Sequence, residues 1–174
     1  MEQKENNTQE TAGKGCLVRM GGQPPVGDNT TIMLHMVSMA ALKDRTPAAY
    51  FSPGMTNTEV VNRLIAINSG IDHKDIGAGT LSDEQWKKLD ASLPLLLRAP
   101  LYIDDTPGIS VEDLRNKVYD LADNKGVRLV VVDPVRLMTG DNVFDNDRQR
   151  TDYITERLRG IAEDLGITIF AVEE

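Results

Sequence analysis

The segment Gly22-Gln23-Pro24-Pro25-Val26-Gly27 spaces its two glycines as a phosphate-cradling loop does, and it sits between an apolar run and a helical one. Such a loop wraps anionic oxygens in backbone N–H groups. Its chemistry needs two more residues directly behind it, a lysine to neutralise the β- and γ-phosphates and a hydroxyl to hold Mg²⁺. Those places carry Asp28 and Asn29, with Thr30 next in line. A carboxylate there sets like charge against like. At about 4 Å and an effective dielectric near 20 the repulsion is roughly 4 kcal/mol per charge pair before screening. The same spacing also fits an ordinary strand-to-helix turn, with Asp28 stabilising the positive end of the helix.

Asp133 is the second candidate. It closes the apolar run Leu129-Val130-Val131-Val132, and a carboxylate ending a buried strand beside a phosphate loop is where Mg²⁺ is held. The alternative is a residue that turns the chain before Pro134. Glu173 and Glu174 bring further acid to the chain terminus and read as a solvated tail rather than an acid/base pair. Asp28, Asp133 and Glu174 together also offer an oxygen set suited to Mg²⁺ or Ca²⁺ alone. His35, beside a helical apolar stripe, and His73, in a loop after Asp72, lack any metal-ligand partner pattern and read as structural. Trp86 reads as a core anchor.

These residues need strands and helices to bring them together. Cys16 to Met20 is a short, mostly apolar strand, and Thr30 to Lys43 repeats Met33, Met36, Val37, Ala40 and Ala41 at helical spacing. Ala48 to Phe51 is a second strand. Thr56 with Glu59, and Ser82 with Gln85, stand in capping-box register before helices carrying Val60, Leu64 and Ile65, and Trp86, Leu89 and Leu93. Leu101 to Ile103 is a short strand, and Ser110 caps a helix with the stripe Val111, Leu114, Val118 and Leu121, stopped by Gly126. Val127 to Val132 is apolar enough for a strand covered on both faces. A helix carrying Ile154, Leu158, Ile161 and Leu165 stops at Gly166, and Ile167 to Val172 is the last strand, whose edge is expected to be open to self-pairing. The alternation predicts an α/β fold with a mainly parallel sheet flanked by helices in three layers. Thr139 to Asn146 is read as a mobile loop, and residues 1–15 as a disordered tail before a domain over 16–174.

Composition narrows the function. The 174 residues are 40% hydrophobic and 26% charged, enough for one domain with a core. A net charge of −8 repels phosphate polymers, so nucleic-acid contact requires a locally basic patch. One cysteine, Cys16, and two histidines exclude a disulfide framework and a Cys/His zinc cluster. The opening residues are unlike a signal peptide and no stretch suits a membrane span, so the expected location is cytoplasmic, without membrane contact.

From about Cys16 onward the chain resembles the RecA-like motor domain of DnaB-type replicative DNA helicases. The residues that carry this are Ile103-Asp104-Asp105-Thr106-Pro107-Gly108-Ile109-Ser110, followed by Leu129-Val130-Val131-Val132-Asp133 and Leu137-Met138. Tyr50-Phe51-Ser52 with Met55, the segment Leu81 to Trp86, and Ala171-Val172 add to it. The resemblance implies a RecA-like P-loop NTPase fold, with ATP and Mg²⁺ as cofactors, and a nucleotide-binding segment through Gly22, Pro25, Gly27, Asp28, Asn29 and Thr30.

The departures fall on the residues that would do the work. The family's phosphate-loop lysine matches Asp28 and its Mg²⁺-binding hydroxyl matches Asn29. Its catalytic glutamate, in a phenylalanine-serine-leucine-glutamate-methionine string, matches Gly54, so no carboxylate stands there to activate water. The tyrosine after the family's aspartate matches Pro134, and its γ-phosphate-sensing serine-glutamine pair matches Glu173-Glu174, which puts Glu174 at the sensor position. Asp133, the metal position, is retained. The DNA-facing loop matches Gly140 to Asp147, with Arg148 and Arg150 at its edge; acids Asp141, Asp145 and Asp147 make it a poor phosphate track. Helicases of this type continue past the place where this sequence ends, into a second DNA-facing loop and an arginine finger, so ring-driven unwinding is not expected of residues 1–174. The expectation is a degenerate Walker A site with weak or lost nucleotide binding, and a scaffold that associates with itself or with a helicase ring. The alternatives are an ATP-hydrolysing domain using Thr30 and Asp133, and a divalent-cation module.

Overall fold

Alanine and valine fill the central strands because helices cover both faces of the sheet. The computed structural model describes residues 15–22, 28–140, 144 and 146–173. Its strands are β1 (Cys16–Met20), β2 (Ala48–Phe51), β3 (Leu101–Asp104), β4 (Leu129–Val132) and β5 (Thr168–Val172). Its helices are α1 (Asn29–Leu42), α2 (Asn57–Ser69), α3 (His73–Ala78), α4 (Asp83–Leu97), α5 (Val111–Lys125) and α6 (Asp147–Leu165), with a 3-10 turn at Val135–Leu137.

The five strands run parallel in the order β1-β5-β4-β2-β3. Alternation along each strand sorts the core into two layers. Ala49, Phe51, Val130, Val132, Ile169 and Ala171 face α5 and α6, where they meet Val118, Ile154 and Leu158. Tyr50, Val131 and Val172 face α1 and α2, against Leu34, Val37, Val60 and Leu64. This is the expected three-layer arrangement, and every strand is parallel.

The helix boundaries follow their caps. Both capping boxes form, Thr56 with Glu59 and Ser82 with Gln85, and the Ser110 hydroxyl accepts from Asp113 N at 3.0 Å. Gly126 and Gly166 end α5 and α6 at φ of 68° and 63°, left-handed values that a side chain would strain. Among the described residues, no helix is long and apolar enough to cross a membrane.

Several expectations need correction. β5 is not an open edge: β1 and β4 flank it, and the sheet ends in β1 and β3. The reason is that β1, first in sequence, docks beside the last strand. His73 lies in α3 rather than a loop, because Asp72 accepts from Lys74 N and caps it. Trp86 is 48% exposed, since α4 packs on α2 through Leu89 and Leu93 instead. Residues 1–14 of the expected tail, and 141–143 and 145 of the expected loop, lie outside the described residues.

Candidate functional site

Parallel strands deliver their carboxyl ends to one rim, where the candidate residues gather. Asp28 is the N-cap of α1. Its side chain accepts from Thr31 N at 2.6 Å, and its other oxygen lies 3.6 Å from the Arg63 guanidinium on α2. Burial works against the ionised form, but the Thr31 bonds and Arg63 outweigh it and hold the carboxyl below its ordinary range. Asn29 is 2% exposed and donates its Nδ2 to the Gly22 carbonyl at 2.8 Å, tying one end of the glycine loop to the helix. Thr30 is half-buried in the first turn of α1. Pro25 and Gly27 lie outside the described residues.

Asp133 continues the alternation of β4, so its side chain points with that of Val131 toward the α1/α2 layer. Tyr50 sits opposite Val131 in the β2–β4 register. The Tyr50 hydroxyl donates to Asp133 Oδ2, a contact made entirely in the interior, where Tyr50 is 0% and Asp133 2% exposed. Burial and the adjacent carboxylate hold the Tyr50 phenol far above its ordinary range. The Asp133 N–H meanwhile donates to Phe51 O at 2.9 Å, extending the ladder by one residue.

Just past β2, buried Ser52 accepts from Met55 N at 3.2 Å and shapes the turn that contains Gly54. The place where a side chain would start at Gly54 is filled. A Cβ there would stand 2.8 Å from Leu137 Cδ1 and 3.3 Å from Pro134 Cδ.

Glu173 departs from the solvated tail expected of it. Its N–H donates to Met20 O at 2.8 Å and its carboxylate pairs with Arg19 of β1, whose other nitrogen is 3.6 Å from Asp152. Pairing between β5 and β1 carries the chain past Val172 and brings the acid to that arginine. Glu174 lies outside the described residues. Of the two loop arginines, Arg148 extends into solvent at 92% side-chain exposure, 3.9 Å from Asp152. Arg150 turns inward, pairing with Asp147 at 3.1 Å and donating to the Arg136 carbonyl at 3.1 Å.

Sequence reasoning missed Tyr50, Arg63 and Arg19. The first carried a signal: a phenol in an apolar strand, once buried, must find a partner for its hydroxyl. The two arginines carried no local signal, because their partners are 35 and 154 positions away, at Asp28 and Glu173. Among the described residues, no group of three or more His, Cys, Asp or Glu comes together to hold a metal.

Known proteins share this architecture. The model of the DnaB-like helicase C terminal domain matches residues 6–174. The replicative DNA helicase DnaB of Nostoc sp. is 32% identical over 160 residues, covering 91% of this chain and 18% of that protein. The replicative DNA helicase DnaC of Bacillus subtilis is 30% identical over 167 residues, covering 94% of this chain and 37% of that one. This chain therefore spans well under half the length of these curated relatives. A solved ATPase domain superposes with a TM-score of 0.80 at 21% identity, covering 93% of this chain and 57% of that one. A DnaB-like replicative helicase, solved with its interactions with primase, gives 0.76 at 20% identity over 93% and 39%. With the family model matched over nearly the whole length, the chain belongs to the DnaB-like helicase C-terminal domain family.

Proposed function

We propose that this RecA-like domain has given up ATP chemistry and serves as a binding or assembly module, with a helicase ring or another copy of itself as partner. ATP and Mg²⁺ are the family's ligands, and the residues here fit them poorly. The observation that carries the reading is Asp28, whose carboxylate occupies the N-terminus of α1 through Thr31 N and is held there by Arg63. A helix N-terminus attracts a phosphate because its N–H groups are unpaired and its dipole end is positive. Here a resident anion already takes that role. Asn29 spends its amide on the Gly22 carbonyl, and Gly54 offers no base.

The surface gives nucleic acid little to hold, since Arg150 is engaged by Asp147 and the Arg136 carbonyl. We place the domain in the cytoplasm with the replication apparatus; the relative solved with primase makes a protein of that apparatus the partner class to test first. Asp28 and Asp133 each have partners within the fold, which weighs against the cation-module reading.

The test is isothermal titration of MgATP into the wild type beside an Asp28→Lys, Asn29→Thr double variant. Silence in the wild type with binding in the variant supports the module. Binding by the wild type overturns it in favour of an ATP-hydrolysing domain that uses Thr30 and Asp133. Size-exclusion with light scattering, alone and with a DnaB-type ring, tests the assembly role, and co-elution or self-association is the expected result.

A further inference from the structure

We infer that Tyr50 withdraws the one retained acid of the site, Asp133, from cation binding, so that the pocket is closed by a second lock independent of Asp28. This deepens the reading above and rests on it for the identity of the pocket.

The geometry is specific. Tyr50 is fixed by the β2–β4 register and by packing against Leu34, Val60 and Leu64, so its ring has no room to swing aside. Its hydroxyl reaches Asp133 Oδ2 inside the sheet–helix layer, where both residues are almost fully buried. A carboxylate binds Mg²⁺, directly or through the ion's water shell, with its oxygen lone pairs. A buried phenol that donates to such an oxygen competes for those lone pairs and fills the space beside it. The competition is strong because a hydrogen bond made in the interior, where Tyr50 is 0% and Asp133 2% exposed, has no water to take its place. Asp28 adds its charge to the field at the phenol but takes no part in this bond. Reversing the charge at residue 28 and placing a hydroxyl at residue 29 would restore attraction for phosphate and leave Asp133 held by Tyr50.

The experiment measures ATP affinity by titration with Mg²⁺ and with EDTA, and reads the ratio of the two. The Asp28→Lys, Asn29→Thr background sets the reference ratio, which includes whatever hold the new hydroxyl takes on the ion. Adding Tyr50→Phe should raise it at least tenfold by freeing Asp133, and adding Asp133→Asn on top should remove that gain. An unchanged ratio on Tyr50→Phe overturns the lock. Removing a buried hydroxyl can unfold the chain, so a second measurement leaves Tyr50 in place. In the same background Asp133→Asn alone should leave the ratio unaltered; a fall would mean that Asp133 serves the ion despite the phenol, and the inference fails. ATP binding by the wild type that is equally tight in Mg²⁺ and in EDTA would, in contrast, sink the proposed function and not the role of Tyr50.

Discussion

Two aspartates at the ends of strands on either side of β2 have met different fates. Asp104 ends β3 at the sheet's edge and pairs with Lys117 of α5, which also donates to Thr106 Oγ1 at 2.8 Å. Asp133 follows β4 in the sheet's interior and has a neutral phenol as partner. The rim can hold its acid with a solvated cation, because water shares the cost of charge. The interior cannot do so cheaply, and a lysine brought there would have to shed its hydration. Position in the sheet thus decides the chemistry of the partner, and depth decides what its removal costs.

The largest break in this comparison is Tyr50→Ala. It should cost about 3–5 kcal/mol, as truncations of buried aromatics do, and urea unfolding followed by circular dichroism measures it. Tyr50→Phe keeps the packing and leaves Asp133 short of a donor; about 1.5–3 kcal/mol is expected by the same assay. At the rim, Lys117→Ala should cost at most ~1 kcal/mol, a loss that shrinks further in high salt. Equal losses at the two sites would refute the role given to depth.

Acid and base sharpen the contrast in opposite directions. Burial disfavours the Asp104 carboxylate, but bonds from Lys117 and Thr106 hold its pKa below the ordinary range. The stability it adds is present above about pH 4 and falls away as pH drops through the lowered value. The Tyr50 phenol is held upward, so its contribution is complete below about pH 10 and is lost as pH rises. Ultraviolet titration should find at least one of the four tyrosines, Tyr50, un-ionised until the chain unfolds. Full ionisation of all four in the folded protein would contradict the buried bond.

Most of the framework was readable from residue order. Caps at Thr56, Ser82 and Ser110, stops at Gly126 and Gly166, and unbroken apolar strands are local signals, and the structure honours each. Apart from His73, whose helix a local Asp72 cap begins, those that failed depend on distant partners. The place of β5 between β1 and β4 needs all five strands to be known, and the exposure of Trp86 depends on how α4 lies against α2. At the site, Asp28, Asn29 and Asp133 were legible as positions, and the groups that occupy them were not. Arg63 and Arg19 reach their acids only once the helices and strands have assembled.

Gly54 gives the molecule a memory. The resemblance matches this position to the family's glutamate, yet the volume its Cβ requires is now shared by Leu137 and Pro134. A Gly54→Glu exchange meets the end of the Leu137 side chain, which must move to admit it. Leu137 is 38% exposed and can be trimmed or rotated outward, so the permissive step lies there. What residue 54 can carry is therefore set by residue 137, and a Leu137→Ala exchange should lower the stability cost of any side chain placed at residue 54.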